Sequence, residues 1–378
     1  MASIQRKYAD LPWYGALGIV AAVIPLPFVL LWTAIVGPYT PRNKGRSTKR
    51  IVGERAFRYA ITNLGLPQLQ FAFGTTMSVY EKWTKQKKLS PVIDKLGDGA
   101  RLLWIGPKRV DRHDRVVLYL HGGCFLLPLT DFGLDFWQYV KTELEKKNVS
   151  PNLNFGVAIL EYSLAPAAMF PTPLKQACLG LKFLFDAGVE PGNLQIAGDS
   201  AGGNLALQLV SQMLHPRAGL PRLTPLAPIR GLCLLSPWTS LTADTKSCKE
   251  FDGIDTMTRR VLRDAGAEIL PGFPDDAAAF AEPAKAPESW FHGVDGLFER
   301  VLVTAGEFEC MRDDIVQLSD KLKKGRHPDV ELVIQDGGLH DDMFLDFMVK
   351  EKKLGPLTPL IIDWLYAGFA SGFAPRLD

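Results

Sequence analysis

Net charge is almost absent from this chain of 378 residues, in which 43 Lys and Arg stand against 41 Asp and Glu for a formal +2. That balance leaves no electrostatic footprint for a nucleic-acid partner. Cysteine is scarce: five, an odd number without a framework spacing, which excludes a disulfide scaffold and fits a reducing compartment. No Cys or His spacing matches a metal site and no glycine-rich loop precedes a lysine, so neither a metal nor a phosphate-bearing cofactor is expected. There is no internal repeat and no low-complexity tract, which removes solenoids and arrays. What is present, 47% hydrophobic and 22% charged residues, suffices for one large α/β core with an accessory cap.

The most informative stretch is Gly198-Asp199-Ser200-Ala201-Gly202-Gly203-Asn204, directly after the apolar run Leu194 to Ala197. After it, apolar residues at 205, 207, 209, 210 and 214 predict a helix. A serine at the tip of a tight strand-to-helix turn stands clear of its neighbours, which makes Ser200 the candidate nucleophile. A serine hydroxyl is weak at neutral pH and needs a base within reach and an acid to orient that base. Of six histidines, His340 alone follows an apolar strand, Val330 to Ile334, through the loop Asp336-Gly337-Gly338-Leu339. His113 sits in a charged turn, His215 and His327 precede prolines, and His292 has no strand before it. For the acid, Glu309 emerges just beyond the strand Val301 to Ala305, whereas Asp313 and Asp314 fall in the following helix, where the helix dipole accounts for them.

Acyl transfer also needs donors for an oxyanion. The strand Val116 to Leu120 ends in His121-Gly122-Gly123-Cys124-Phe125, and the N–H groups of Gly122, Gly123 and Cys124, together with that of Ala201, are the expected donors. His121 is then read as orienting this loop. The chain order of serine, acid and histidine is that of α/β-hydrolases.

On these motifs, with Tyr162-Ser163-Leu164-Ala165-Pro166, residues 95–370 resemble the hormone-sensitive lipase-like branch of the α/β-hydrolases. The family usually carries a third glycine where Cys124 stands and an aspartate where Glu309 stands. Through its apolar front and Gly306-Glu307-Phe308-Glu309, the chain is also similar to fungal membrane-anchored steryl acetyl hydrolase-like esterases. The resemblance implies an α/β-hydrolase fold, a mostly parallel sheet with helices on both faces and a helical cap, and a serine esterase acting on a small apolar ester with a short acyl group. Related chains that have lost the histidine serve as small-molecule receptors, and the same triad also serves amidases and acyltransferases. The intact set speaks against a receptor.

From Trp13 to Gly37 there is no charged residue, and about 25 residues rising 1.5 Å each exceed a bilayer core of about 30 Å. Residues 13–37 are therefore expected to be a single transmembrane helix in contact with membrane lipids, kinked at Pro25 and Pro27. Arg42, Lys44, Arg46, Lys49 and Arg50 follow it as a basic collar, which by the positive-inside rule puts the catalytic part in the cytosol. The resemblance implies instead the endoplasmic reticulum lumen, and the triplet Asn148-Val149-Ser150, followed by Pro151, is a poor glycosylation acceptor. The expected organisation is an anchor and collar over 1–50, cap helices over 51–94, and a catalytic domain over 95–378 with a second cap piece at 240–290. Strands are expected near 101–110, 116–120, 155–160, 194–197, 231–235, 301–305 and 330–334.

Overall fold

The computed structural model describes residues 7–147, 154–325 and 329–370, so Arg6, the Asn148 triplet and His327 lie outside the described residues. Eight strands form one sheet: β1 (Ile93–Gly97), β2 (Ala100–Trp104), β3 (Arg115–Leu120), β4 (Phe155–Glu161), β5 (Leu194–Asp199), β6 (Gly231–Leu235), β7 (Val301–Gly306) and β8 (Val330–Gln335). Their order is β1-β2-β4-β3-β5-β6-β7-β8, parallel from β4 onward and antiparallel at the β1–β2 and β2–β4 pairs. β3, β5, β6 and β7 are buried along their whole length, as strands covered on both faces must be, and their apolar runs follow from that.

Two expectations need correction here. The strand placed at 101–110 ends at Trp104, and β1, which was not expected, pairs with it across the turn at Asp98-Gly99. Ile93, Lys95 and Gly97 of β1 are exposed, so this edge strand lacks the apolar signal of the central ones.

Helices α6 (Asp131–Lys147) and α14 (Leu357–Ala370) cover one face of the sheet, and α7 (Thr172–Asp186), α8 (Ser200–Leu214) and α12 (Arg312–Lys324) cover the other. The apolar front is one helix bent at Ile24-Pro25 into α1 (Trp13–Val23) and α2 (Leu26–Val36). Proline lacks the N–H that would continue the ladder, so the bend falls where Pro25 and Pro27 interrupt it. Through the bend, the 25 residues Gly15–Tyr39 include an 18-residue window of mean hydropathy 2.5, long and apolar enough for a membrane span or a signal sequence. The cap follows as α3 (Thr48–Asn63), α4 (Leu66–Phe73) and α5 (Thr76–Lys87). Ser47 caps α3 by accepting from the Arg50 N–H at 3.0 Å. The insertion after β6 adds α9 (Lys246–Glu250), α10 (Arg259–Ile269) and α11 (Ala278–Ala281), and α13 (Asp342–Met348) follows the loop after β8.

A buried charge cluster ties the cap to that last loop. The Arg50 guanidinium on α3 meets Glu54, Asp346 and, at 2.8 Å, Asp342, all at most slightly exposed. Asp342 in turn accepts from the Leu339 N–H at 3.0 Å and from Gln335 Nε2 at 2.8 Å. Arg46 also meets Glu54 and lies 3.8 Å from Asp342, so removing Arg50 leaves the carboxylates desolvated but in part compensated, at a cost toward the low end of the about 3–5 kcal/mol of a broken buried pair. Arg50→Ala is expected to lower the unfolding free energy by that amount in chemical denaturation. A loss below about 1 kcal/mol, the scale of an exposed pair, would refute the reading.

Candidate active site

β5 delivers Ser200 to the start of α8 with φ at 49°, the left-handed region that side chains other than glycine rarely adopt. Close backbone approaches hold the turn. A Cβ at Gly202 would stand 1.9 Å from the Leu120 carbonyl oxygen, and one at Gly122 would meet an Asp199 carboxylate oxygen at 2.3 Å and the Ser200 Cβ at 3.0 Å. Only glycine allows the end of β3 and its loop to touch the elbow in this way.

His340 and Glu309 come together as the sequence predicts. His340 Nδ1 donates to Glu309 Oε1 at 2.8 Å, and Glu309 is fully buried. Its other oxygen accepts from Ser236 Oγ at 2.9 Å and from the Gly306 N–H at 2.8 Å, which fixes the carboxylate's orientation. Asp313 and Asp314 are engaged elsewhere, with the Ser247 N–H and the Thr245 hydroxyl. Ser200 and His340 line the same cavity, but no hydrogen bond joins them in this arrangement. Instead His340 Nε2 lies 3.1 Å from Asp341 Oδ2. With a carboxylate on each ring nitrogen, both nitrogens are donors, which is the imidazolium form. Burial alone would push the imidazole down, but Asp341 and Glu309 together raise it well above its ordinary value.

Two further carboxylates complete the surroundings. Asp255 Oδ1 accepts from the His340 N–H at 2.9 Å, its Oδ2 accepts from the Cys310 N–H at 2.8 Å, and burial pushes its carboxyl up to about 6. Asp199 accepts from the Tyr119 hydroxyl and from the Gly122 N–H at 2.8 Å. Burial and the nearby Asp341 push its carboxyl well above the usual carboxylate range. Sequence reasoning missed Asp255 and Asp341. Adjacency to His340 was the available signal for Asp341, whereas Asp255 lies in the irregular insertion and offered none.

The oxyanion expectation is corrected at one position. The Gly122 N–H is committed to Asp199, because the carboxylate sits directly against that glycine, so it does not point into open space. The N–H groups of Gly123, Cys124 and Ala201 take no acceptor among the described residues. Gly123, Cys124 and Phe125 all have positive φ, which turns this stretch of backbone sharply. His121 orients the loop as predicted: its Nδ1 contacts the Gly122 carbonyl at 2.7 Å, its Nε2 the Thr76 hydroxyl at 3.2 Å, and its ring stacks on Tyr162. Burial lowers the His121 imidazole to about 4, which keeps it neutral and out of proton transfer.

Above these groups opens a cavity of about 580 Å³. Phe57, Ile61, Leu64 and Leu66 of the first cap piece and Met257 and Val261 of the second give it a largely apolar wall. Among the described residues there is no group of three His, Cys, Asp or Glu side chains suited to a metal ion.

A family profile described as the alpha/beta hydrolase fold matches residues 117–344. The chain is 28% identical over 229 residues to an acetyl-hydrolase of Streptomyces hygroscopicus, covering 60% of this chain and 67% of that one. It is 24% identical over 258 residues to a Schizosaccharomyces pombe protein carrying the name of a steryl acetyl hydrolase, covering 65% and 63%. The matched stretch thus spans about two thirds of these relatives' own length. The fold is similar to that of an esterase from the bacterial hormone-sensitive lipase family, with a TM-score of 0.59 at 21% identity over 92% of this chain and 97% of that chain. With the profile covering more than half of the residues, the chain belongs to the α/β-hydrolase fold family, and human hormone-sensitive lipase, 26% identical over 185 residues (45% of this chain, 16% of that one), is among its relatives.

Proposed function

We propose that this chain is a membrane-associated serine hydrolase that cleaves carboxylic esters carrying a short acyl group, acetyl foremost, on an apolar alcohol such as a sterol or secondary metabolite. The observation that carries the reading is the pairing of Glu309 with His340 on the wall of the cavity into which the strained Ser200 elbow opens. In this reading Ser200 Oγ attacks the ester carbonyl, His340 Nε2 takes the proton and returns it to the leaving alcohol, and Glu309 stabilises the imidazolium. The N–H groups of Gly123, Cys124 and Ala201 receive the oxyanion, and water releases the acyl-enzyme. The short acyl group is supported by relatives named for acetyl hydrolysis. The apolar alcohol is supported by the cavity wall, and its volume of about 580 Å³ falls within the range of about 300–1,000 Å³ typical of small-molecule sites.

His340 can act as base only when Nε2 gives up Asp341 and is neutral. Asp341 lines the cavity and is not fully buried, so its side chain has room to withdraw.

Two experiments test this. Ser200→Ala is expected to lower kcat on p-nitrophenyl acetate by about 10⁴-fold or more and to abolish labelling by a fluorophosphonate probe. Retained turnover by a folded variant would reject the assignment. Asp341→Asn tests the resting geometry through pH. Asp341 raises the imidazole, and a raised base stays protonated to higher pH, so removing the charge should move the acidic limb of kcat/KM toward lower pH by about one unit or more. Glu309, Asp255 and Asp199 remain as the other carboxylates near the ring in that variant, as does the Cys124 thiol, which burial pushes up to about 12. A limb that stays in place or moves upward would refute the role given to Asp341.

A further inference from the structure

The bent apolar helix does not project from the molecule. It lies along the cap for its whole length. Gln68 Nε2 on α4 donates to the Gly15 carbonyl at 2.9 Å, the Tyr59 hydroxyl on α3 donates to the Ala22 carbonyl at 2.9 Å, and Asn43 Nδ2 donates to the Gly37 carbonyl at 2.9 Å. A Cβ at Gly18 would stand 2.3 Å from Gln68 Nε2, and one at Gly37 would stand 2.7 Å from the Ile51 side chain, so the backbone itself touches the cap at both ends. The residues turned toward the body, 15, 18, 22, 26, 29, 33 and 37, recur at steps of three and four, as one helical face does.

The opposite face carries Trp13, Leu17, Val20, Ile24, Phe28, Leu31 and Ile35 at the same steps, all exposed, with Trp32 beside them. Trp13 is 77% exposed, Phe28 74% and Trp32 68%, and with their neighbours they form one contiguous apolar stripe instead of scattered surface residues. This stripe follows both segments across the bend, so the bend keeps one apolar edge facing outward.

A spanning orientation conflicts with this docking. Val29, Thr33 and Gly37, on the face turned to the body, line a surface groove with Glu54, Arg55 and Arg58 of α3, with Phe28 and Trp32 at its outer edge, so crossing a bilayer in this pose would draw those charges into hydrocarbon. Lying flat, the same charges stay on the aqueous side of α2. Lys44, exposed just beyond α2, can then reach anionic headgroups.

Part of the cavity's lining lies beside the contact between Gln68 and Gly15, the exposed α10 residues Arg260, Asp264 and Glu268 forming another part of it. Gln68, which holds Gly15, stands in the chain between Pro67 and Leu69, and both of these line the cavity, together with Leu64, Gly65 and Leu66. Exposed Phe71 on α4 adds to the apolar surface next to them.

We propose that the α1–α2 helix lies in the plane of an anionic bilayer surface, docked on the cap with its stripe in the acyl region, and thereby sets the cavity mouth against the membrane so that a lipid-dissolved ester enters from the lipid side. The loading of the cavity rests on the esterase reading above, and the seating on lipid does not.

The test uses the full chain. Purified Ser200→Ala protein is expected to co-sediment with phosphatidylcholine vesicles containing phosphatidylserine. The triple change Leu17→Glu, Leu31→Glu, Ile35→Glu, whose side chains face solvent in the folded chain, should cut the bound fraction about tenfold or more. With Ser200 intact, the triple variant should keep its turnover of soluble p-nitrophenyl acetate and lose turnover of an acetyl ester embedded in vesicles. Epitope tags at the two ends of the chain, probed by protease on sealed microsomes, should lie on the same face. Tags on opposite faces establish a span and overturn the proposal, as does undiminished vesicle binding by the triple variant. A vesicle-independent dimer that the triple change dissociates assigns the stripe to a second copy and overturns it as well. An inactive wild type that still binds vesicles through the stripe would fail the esterase reading and leave the seating intact.

Discussion

Four carboxylates converge on one imidazole in this molecule, and the shape of the sheet's carboxyl end follows from satisfying them. Buried like charges repel strongly and each needs donors. Glu309 takes the Ser236 hydroxyl and the Gly306 N–H, Asp255 takes the His340, Thr256 and Cys310 N–H groups, Asp199 takes Tyr119 and the Gly122 N–H, and Asp341 takes the imidazole. These partners come from the loops after β3, β6, β7 and β8 and from the insertion that carries Asp255. The acids therefore join segments far apart in sequence into one rigid ring around the cavity floor.

That ring explains which parts of the site were legible in the sequence. Ser200, Glu309 and His340 each sit just past a strand whose apolar run is readable, and both the elbow and the loop after β3 need glycines that announce themselves. Asp255 follows no strand and acts through backbone N–H groups of two other loops, so nothing local distinguishes it from a surface aspartate. The glycine loop was legible as an oxyanion candidate, but which of its N–H groups stays open depends on Asp199, which arrives on a different strand. The same division holds for the fold. Central strands show their burial as continuous apolar runs, whereas β1, half-exposed at the sheet edge, is held by its pairing with β2 and leaves no such trace. Pro25 marks the bend in the front helix, but the docking of that helix depends on Tyr59, Gln68 and Asn43, polar side chains that give no periodic signal.

The resting contact between Asp341 and the His340 Nε2 has a mechanical origin in this arrangement. On one side, the His340 N–H is fastened to Asp255, and on the other, Asp342 is fastened to Arg50 of the cap and to the Leu339 N–H. The residue between these two fixed points must make a sharp turn, and Asp341 does so with φ at 52°, a left-handed conformation that aspartate tolerates better than most side chains. The turn points its carboxylate back at the ring. Because Arg50 is one of the two fastenings, and α3, which carries it, is the helix on which the apolar front lies, any displacement of the front helix against the cap bears on the loop that presents the imidazole. Interiors packed this closely transmit such shifts instead of absorbing them. The charge cluster at Arg50 is thus the physical link between the outer apolar surface and the ring nitrogen that, in the proposed reaction, must be released for proton transfer.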